Sequence, residues 1–256
     1  MRATIIFFLS FCFSAFLWAQ NPEMDFEKAN TAYNEGDFST AITLYEGILK
    51  QEKHAAALYF NLANAYYKQG AVAESIFYYE KAKQLAPKDA SILNNSQFAQ
   101  NMALDAIEIL PTTQLQSIQN HILELLNVSQ WSYFVVILAW GIFLFFVLYQ
   151  INTRSILKRL FFVLGSLSIL LLLVTYGFLQ VKLSDMAKKS GILFNKEEQV
   201  WSEPNNRSEL LFLLHEGTKV EILDELQGWT KIKLANGSEG WMLAEGIKSL
   251  QDPLRE

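Results

Sequence analysis

Residues 131–150, WSYFVVILAWGIFLFFVLYQ, and residues 161–180, FFVLGSLSILLLLVTYGFLQ, are two apolar runs joined by the basic segment INTRSILKRL. No charged residue lies between Glu124 and Arg154, and none between Arg159 and Lys182. About 20 apolar residues at roughly 1.5 Å rise each match a hydrocarbon core of roughly 30 Å. The second run holds thirteen Leu, Ile, Val or Phe residues. At about −0.3 to −0.6 kcal/mol each, they favour insertion by about 4 to 8 kcal/mol before Gly, Ser and Thr are set against them. Trp131, Tyr133 and Tyr149 fall near the ends of the first run, where amphipathic rings prefer to sit. The pair predicts a transmembrane hairpin, with helices over 131–150 and 161–181 and a cytoplasmic basic loop over 151–160. Two buried core helices of a soluble domain are the competing reading, and two uncharged runs in tandem argue against it.

The chain begins with a third apolar stretch. Met1-Arg2 supplies a short charged region, Thr4 to Trp18 an apolar one, and Ala19 before Gln20 a cleavage point. Residues 1–19 read as a secretory signal peptide. An uncleaved anchor remains open, as does lipoprotein processing at Cys12, which the bulky Phe11 disfavours. Each of these exports the residues that follow. The hairpin then goes in and comes back out, leaving both soluble regions on the outer face. Arg154, Lys158 and Arg159 lie inside, as the positive-inside tendency prefers. Lys182, Lys188 and Lys189 follow the second span, so the leader carries this topology more than the charges do.

The 51% hydrophobic content is concentrated in these apolar runs, and the net charge is −5. Residues 20–130 hold seven Lys against thirteen acids, and residues 191–256 seven bases against twelve acids. Neither region is basic, which argues against nucleic acid as a partner. The one cysteine, Cys12, lies in the leader, so the mature chain has no disulfide and no thiol chemistry.

Residues 20–104 repeat at an offset of 34. The matches are Phe26/Phe60, Ala29/Ala63, Asn30/Asn64, Tyr33/Tyr67, Gly36/Gly70, Ile42/Ile76, Tyr45/Tyr79 and Glu46/Glu80. Thirty-four residues is the period of a helix–turn–helix solenoid unit. A small residue at Ala29 or Ala63 permits close helix approach, Gly36 or Gly70 makes the turn, and Tyr45 or Tyr79 fills the space between helices. Pro87 stops the second unit, and Asp89 can cap the next helix.

The run Asn61-Leu62-Ala63-Asn64-Ala65-Tyr66-Tyr67-Lys68-Gln69-Gly70 resembles the tetratricopeptide family. That resemblance implies repeats over 22–55 and 56–89, with a capping helix over 90–104. It further implies a peptide-binding groove on the first helices, at Phe26, Asn30, Tyr33 and Asn34 and at Phe60, Asn64, Tyr67 and Lys68. Phe26, Tyr33, Phe60 and Tyr67 are equally readable as core. Asn30 and Asn61 match the family's carboxylate-clamp subtype, but Phe26, Ser91 and Asn95 stand where its bases belong, so that subtype is not expected.

Residues 105–130 form an amphipathic connector, with Leu115, Ile118, Ile122, Leu125 and Leu126 at helical spacing. It can lie on a membrane surface or pack under the repeats. Its lack of Lys and Arg favours the packed connector. Residues 190–250 alternate in short strand-like runs, with a hairpin signal at Ala235-Asn236-Gly237-Ser238, and predict a small barrel. The segments Leu214 to Val220, Gly228 to Ile232 and Asn236 to Trp241 resemble the bacterial SH3-like domain. Val200-Trp201-Ser202-Glu203-Pro204 departs from it, with Trp and Glu where Arg and Gly are usual. Trp229 and Trp241 are the candidate binding surface there, with core or rim packing as the plainer reading.

The fold class expected is therefore a multidomain membrane protein: an all-α tetratricopeptide solenoid, a transmembrane α-hairpin and an all-β SH3-like barrel. His54, His121 and His215 are scattered, and no metalloprotease, P-loop or nucleophile-elbow pattern occurs. No ionisable residue of the kind a coupled transporter needs lies in the spans. A non-enzyme without cofactors is expected. The order of segments resembles the Bat-type aerotolerance proteins of bacteria, in their repeat-bearing BatE branch. That resemblance implies a bacterial inner-membrane scaffold with periplasmic domains, working with von Willebrand A-type membrane proteins in envelope stress tolerance. The alternative is a sensor whose SH3-like domain binds peptidoglycan.

Overall fold

The computed structural model describes residues 22–105, 107 and 113–251; the leader read over 1–19, with Cys12, lies outside them. The described residues fall into two units. The first combines residues up to 108 with those from 189 onward, and the second spans residues 109–188.

Five helices open the first unit: α1 (Pro22–Asn34), α2 (Phe38–Leu49), α3 (Ala56–Gln69), α4 (Val72–Leu85) and α5 (Ala90–Gln100). The doubled sequence pattern becomes doubled geometry. Ala29 and Ala63 are fully buried where α1 and α3 meet their partners, and Tyr45 and Tyr79 are 1% exposed between the helices. Gly36 and Gly70 adopt φ of +84° and +75° just beyond α1 and α3. That left-handed conformation ends a helix cheaply only for a residue without Cβ. Asp37 accepts from the Thr40 amide at the start of α2, and Asp89 from Ser91 and Ile92 at the start of α5.

Seven antiparallel strands complete this unit: β1 (Lys189–Leu193), β2 (Glu197–Trp201), β3 (Leu210–His215), β4 (Lys219–Leu226), β5 (Trp229–Lys233), β6 (Glu239–Leu243) and β7 (Ile247–Ser249), in sheet order β3-β2-β6-β5-β4-β1-β7. Leu193, Val200, Leu214, Val220, Ile232 and Met242, one from each of β1 to β6, converge with Leu234 on a single core. A sheet whose strands all feed one interior is curled into a small barrel. Gln227 and Gly228, with φ of +48° and +86°, form the two-residue turn from β4 to β5, as right-handed strand twist favours.

The barrel is docked on α4. Ile192 of β1 and Leu250 share a buried cluster with Ile76, Phe77 and Tyr79, and Phe194 meets Phe77 edge-on at 5.8 Å. The repeats and the barrel are thus one packed body made from chain on both sides of the apolar runs.

The second unit holds α6 (Gln114–Leu125), α7 (Val128–Ile151) and α8 (Ser155–Ala187). The apolar runs form two long helices packed antiparallel along their length, with Trp131 stacked on Phe178 at one end and Tyr149 beside Phe162 at the other. Their outward side chains, among them Ile137, Trp140, Leu170 and Leu173, are exposed. The link is shorter than the 151–160 loop read from sequence: only Asn152, Thr153 and Arg154 separate the helices. Ile156, Leu157, Lys158 and Arg159 contain no helix breaker, so α8 begins before its apolar stretch does. Helix α6 groups with the hairpin, and its Leu115, Ile118 and Leu125 are exposed.

Candidate functional site

The candidate groove residues divide by what they touch. The Asn30 Oδ1 accepts from the Tyr45 hydroxyl at 2.7 Å and from Asn61 Nδ2 at 2.9 Å. One repeat later, the Asn64 Oδ1 accepts from the Tyr79 hydroxyl at 2.5 Å and from Asn95 Nδ2 at 3.0 Å. Each first-helix asparagine therefore ties its own second helix to the next first helix. Asn61 and Asn95 are rungs of this ladder. Burial pushes the Tyr45 hydroxyl up to about 12 and raises that of Tyr79 as well, so both remain donors at neutral pH.

Phe26 leans on Tyr45 at 5.8 Å and Phe60 on Tyr79 at 6.1 Å. Tyr33 meets Phe38 edge-on, and Tyr67 packs against the cluster beneath α4. These four rings are half-buried structural contacts. Asn34 and Lys68, at equivalent ends of α1 and α3, are exposed. The candidate positions thus separate into an inner layer that builds the repeat and an exposed outer pair.

In the barrel, Trp229 lines a cleft of ≈ 520 Å³ with Trp201, Glu197, Glu198, Asn206 and Leu243. Trp241 is not in its wall; it lies across the ladder from Trp201, on β6. Trp201, a departure from the family pattern in sequence, belongs to the wall. A register shift between Val200 and Trp201 marks a bulge, which re-aims the side chain, and Trp201 shares the cleft with Trp229. Two indoles beside two carboxylates make a site suited to an extended ligand carrying a cationic group.

The docking seam between repeats and barrel has its own electrostatics. Glu80, 6% exposed, accepts from Lys219 of β4 at 2.6 Å and also pairs with Lys83. Burial pushes the Glu80 carboxyl up, but the two ammonium groups outweigh it and hold it below the usual carboxylate value. Asp105 accepts from the His215 amide at 2.7 Å and the Thr218 hydroxyl at 2.5 Å, and its other oxygen lies 2.7 Å from His215 Nδ1. Burial raises its carboxyl too, and these partners hold it below the usual value. Lys81, 4% exposed, donates to the Leu250 carbonyl at 2.7 Å. The Lys248 ammonium lies 4.7 Å from the Phe77 ring, 5.2 Å from Phe194 and 5.9 Å from Tyr78. No cluster of three or more metal-ligating side chains occurs among the described residues.

Comparison with known families agrees with this geometry. Residues 26–90 match the tetratricopeptide repeat family, and residues 199–248 match the bacterial SH3 domain family. No curated protein matches the chain. The chain therefore carries a tetratricopeptide region and a bacterial SH3 domain, with two long apolar helices between them. Both matched domain types are binding modules and neither is catalytic.

Proposed function

We propose that this chain is a non-catalytic scaffold, anchored in a bacterial inner membrane by α7 and α8, that binds protein partners along α1 and α3. The observation that carries the reading is the division of labour at the repeats. The barrel docks through α4, the second helix of its repeat, while Asn34 and Lys68 at the ends of the first helices stay exposed. Two helices of 24 and 33 residues, with 0% and 6% of their most apolar windows buried, supply the anchor.

The leader read over 1–19 and the basic end of the hairpin at Arg154, Lys158 and Arg159 support a periplasmic position for both modules. The packed seam adds a second reason for a common side, since a bilayer cannot pass through one folded body. The resemblance to the Bat-type proteins points to von Willebrand A-type membrane proteins as partners in an envelope-stress complex. Crosslinking in native membranes tests the scaffold. The double variant Asn34→Ala/Lys68→Ala should lose partners that the wild-type chain captures. Retention of every partner after deletion of 22–104 refutes the proposal.

The Trp201–Trp229 cleft favours a second reading, in which the barrel engages the peptide stems of the cell wall through their amino groups. Sedimentation of the detergent-solubilised chain with purified sacculi, lost in Trp229→Ala, supports it. Absence of sedimentation leaves the scaffold reading alone.

A further inference from the structure

Helix α6 carries the most sharply divided surface in the second unit. Leu115, Ile118, Ile122 and Leu125 share one face, and Gln116, Asn120 and Glu124 the opposite one. Leu115, Ile118 and Leu125 are 76%, 58% and 65% exposed, whereas Leu123, on the flank, is buried. Thr113 and Gln116 cap the helix reciprocally at its start, so its limits are set by its own sequence. Its far end is fastened to the hairpin. The Lys182 ammonium of α8 donates to the carbonyls of Leu123 and Leu126, each at 2.5 Å, where a cation meets the negative end of the helix. Asn127 follows and caps α7. Apart from that end, α6 shares no extended packing seam with α7 or α8.

We infer that α6 is an interfacial helix, lying in the membrane surface with the Leu115–Ile118–Ile122–Leu125 stripe among the upper acyl chains. The inference rests on reading α7 and α8 as a membrane hairpin. Continuity selects the occupant. The stripe is joined through Leu126 and Asn127 to the first turns of α7, where Trp131 stacks on Phe178 and Tyr133 and Phe134 face outward. The apolar phase that receives those rings is the one within reach of Leu125. Charge selects the kind of lipid contact. Glu124 and His121 are the ionisable groups of α6, and neither lies on the stripe. The attraction is therefore apolar burial, without the headgroup charge pairing of basic surface helices. Lys182 would then mark the water boundary, its stem along the hairpin and its ammonium at headgroup level.

The test uses the full chain with Cys12→Ser, reconstituted in zwitterionic vesicles. Single cysteines replace Leu115 or Ile118 on the stripe, Gln116 or Asn120 opposite, and Ile137 or Leu170 on the hairpin as references. Each carries a nitrobenzoxadiazole label, read against lipids with a nitroxide placed high on the acyl chain. Stripe labels should shift to the blue and be quenched, while the opposite labels emit as in water, with no dependence on added salt or anionic lipid. Stripe and opposite labels behaving alike overturns the inference. So do stripe labels shielded from both water and nitroxide, a result that assigns the stripe to a protein cover. If the hairpin references are themselves unquenched, the membrane reading fails with it; if they are quenched and the stripe is not, only the interfacial helix fails.

Discussion

Gly217 offers the sharpest test of the seam between repeats and barrel. It has φ of +87°, and a Cβ placed there would lie 2.9 Å from Ile76 Cδ1 and 3.0 Å from Val72 Cγ1, both on α4. Gly217→Ala therefore meets a backbone cost of about 1–2 kcal/mol for a left-handed residue. Its crowding cost falls at the low end of the overpacking range, about 1 kcal/mol, because the Ile76 Cδ1 end can swing aside, although the β-branched Val72 is stiff. Gly228 separates them. Its φ is +86°, yet nothing lies within 4 Å of its added Cβ, so Gly228→Ala carries only the backbone cost. Thermal unfolding of the two variants should differ by the crowding cost, at about 2–4 °C per kcal/mol for a body of this size. Hydrogen exchange then locates the difference. Gly217→Ala should speed exchange in Val72–Leu85, because the barrel loosens from that helix, and Gly228→Ala should leave it unchanged. Equal melting temperatures, with α4 protected equally in both variants, would refute the crowded contact between Gly217 and α4.

Three further outcomes follow from the same contacts. Glu80 and Asp105 titrate below their ordinary values of 4.5 and 3.8; their stabilisation is complete above those values and is lost as pH falls through the lower folded-state ones. The melting temperature should hold from neutrality to about pH 5 and drop in stronger acid, with a shallower acid limb in Glu80→Gln/Asp105→Asn. In the asparagine ladder, Tyr79→Phe removes one hydrogen bond and should cost about 1 kcal/mol in a denaturant melt. Asn64→Ala strands the buried Tyr79 hydroxyl and should cost about 1–3 kcal/mol. Lys182→Met removes the cation from the end of α6 and should raise exchange in its last turn, with the hairpin unaltered.

The two repeats were legible because their contacts are local and doubled. An offset of 34 pairs Asn30 with Asn64 and Tyr45 with Tyr79, and those pairs form the same hydrogen bonds in space. The helix ends at Gly36 and Gly70 were legible because a left-handed residue leaves a chemical signature. The seam left no such mark. Glu80–Lys219, Asp105–His215 and Lys81–Leu250 join residues 139, 110 and 169 positions apart. In a linear reading nothing links the two members of any of these pairs. The cleft in the barrel was half legible: Trp229 stands out by type, but Trp201 enters it by way of a bulge that only strand pairing reveals.

The seam also sets an order of synthesis. Helix α4 is translated before the hairpin, and β1, β4 and Leu250 after it. Until the final strands emerge, Ile76 and Phe77 lack their apolar cover and Glu80 lacks Lys219. The nascent chain thus waits through the whole of the apolar hairpin with its soluble half unfinished. Long-range closure of this kind is slow and leaves sticky surface open in the interval. A chain cut short inside the barrel would leave the Ile76–Phe77 surface of α4 without its cover.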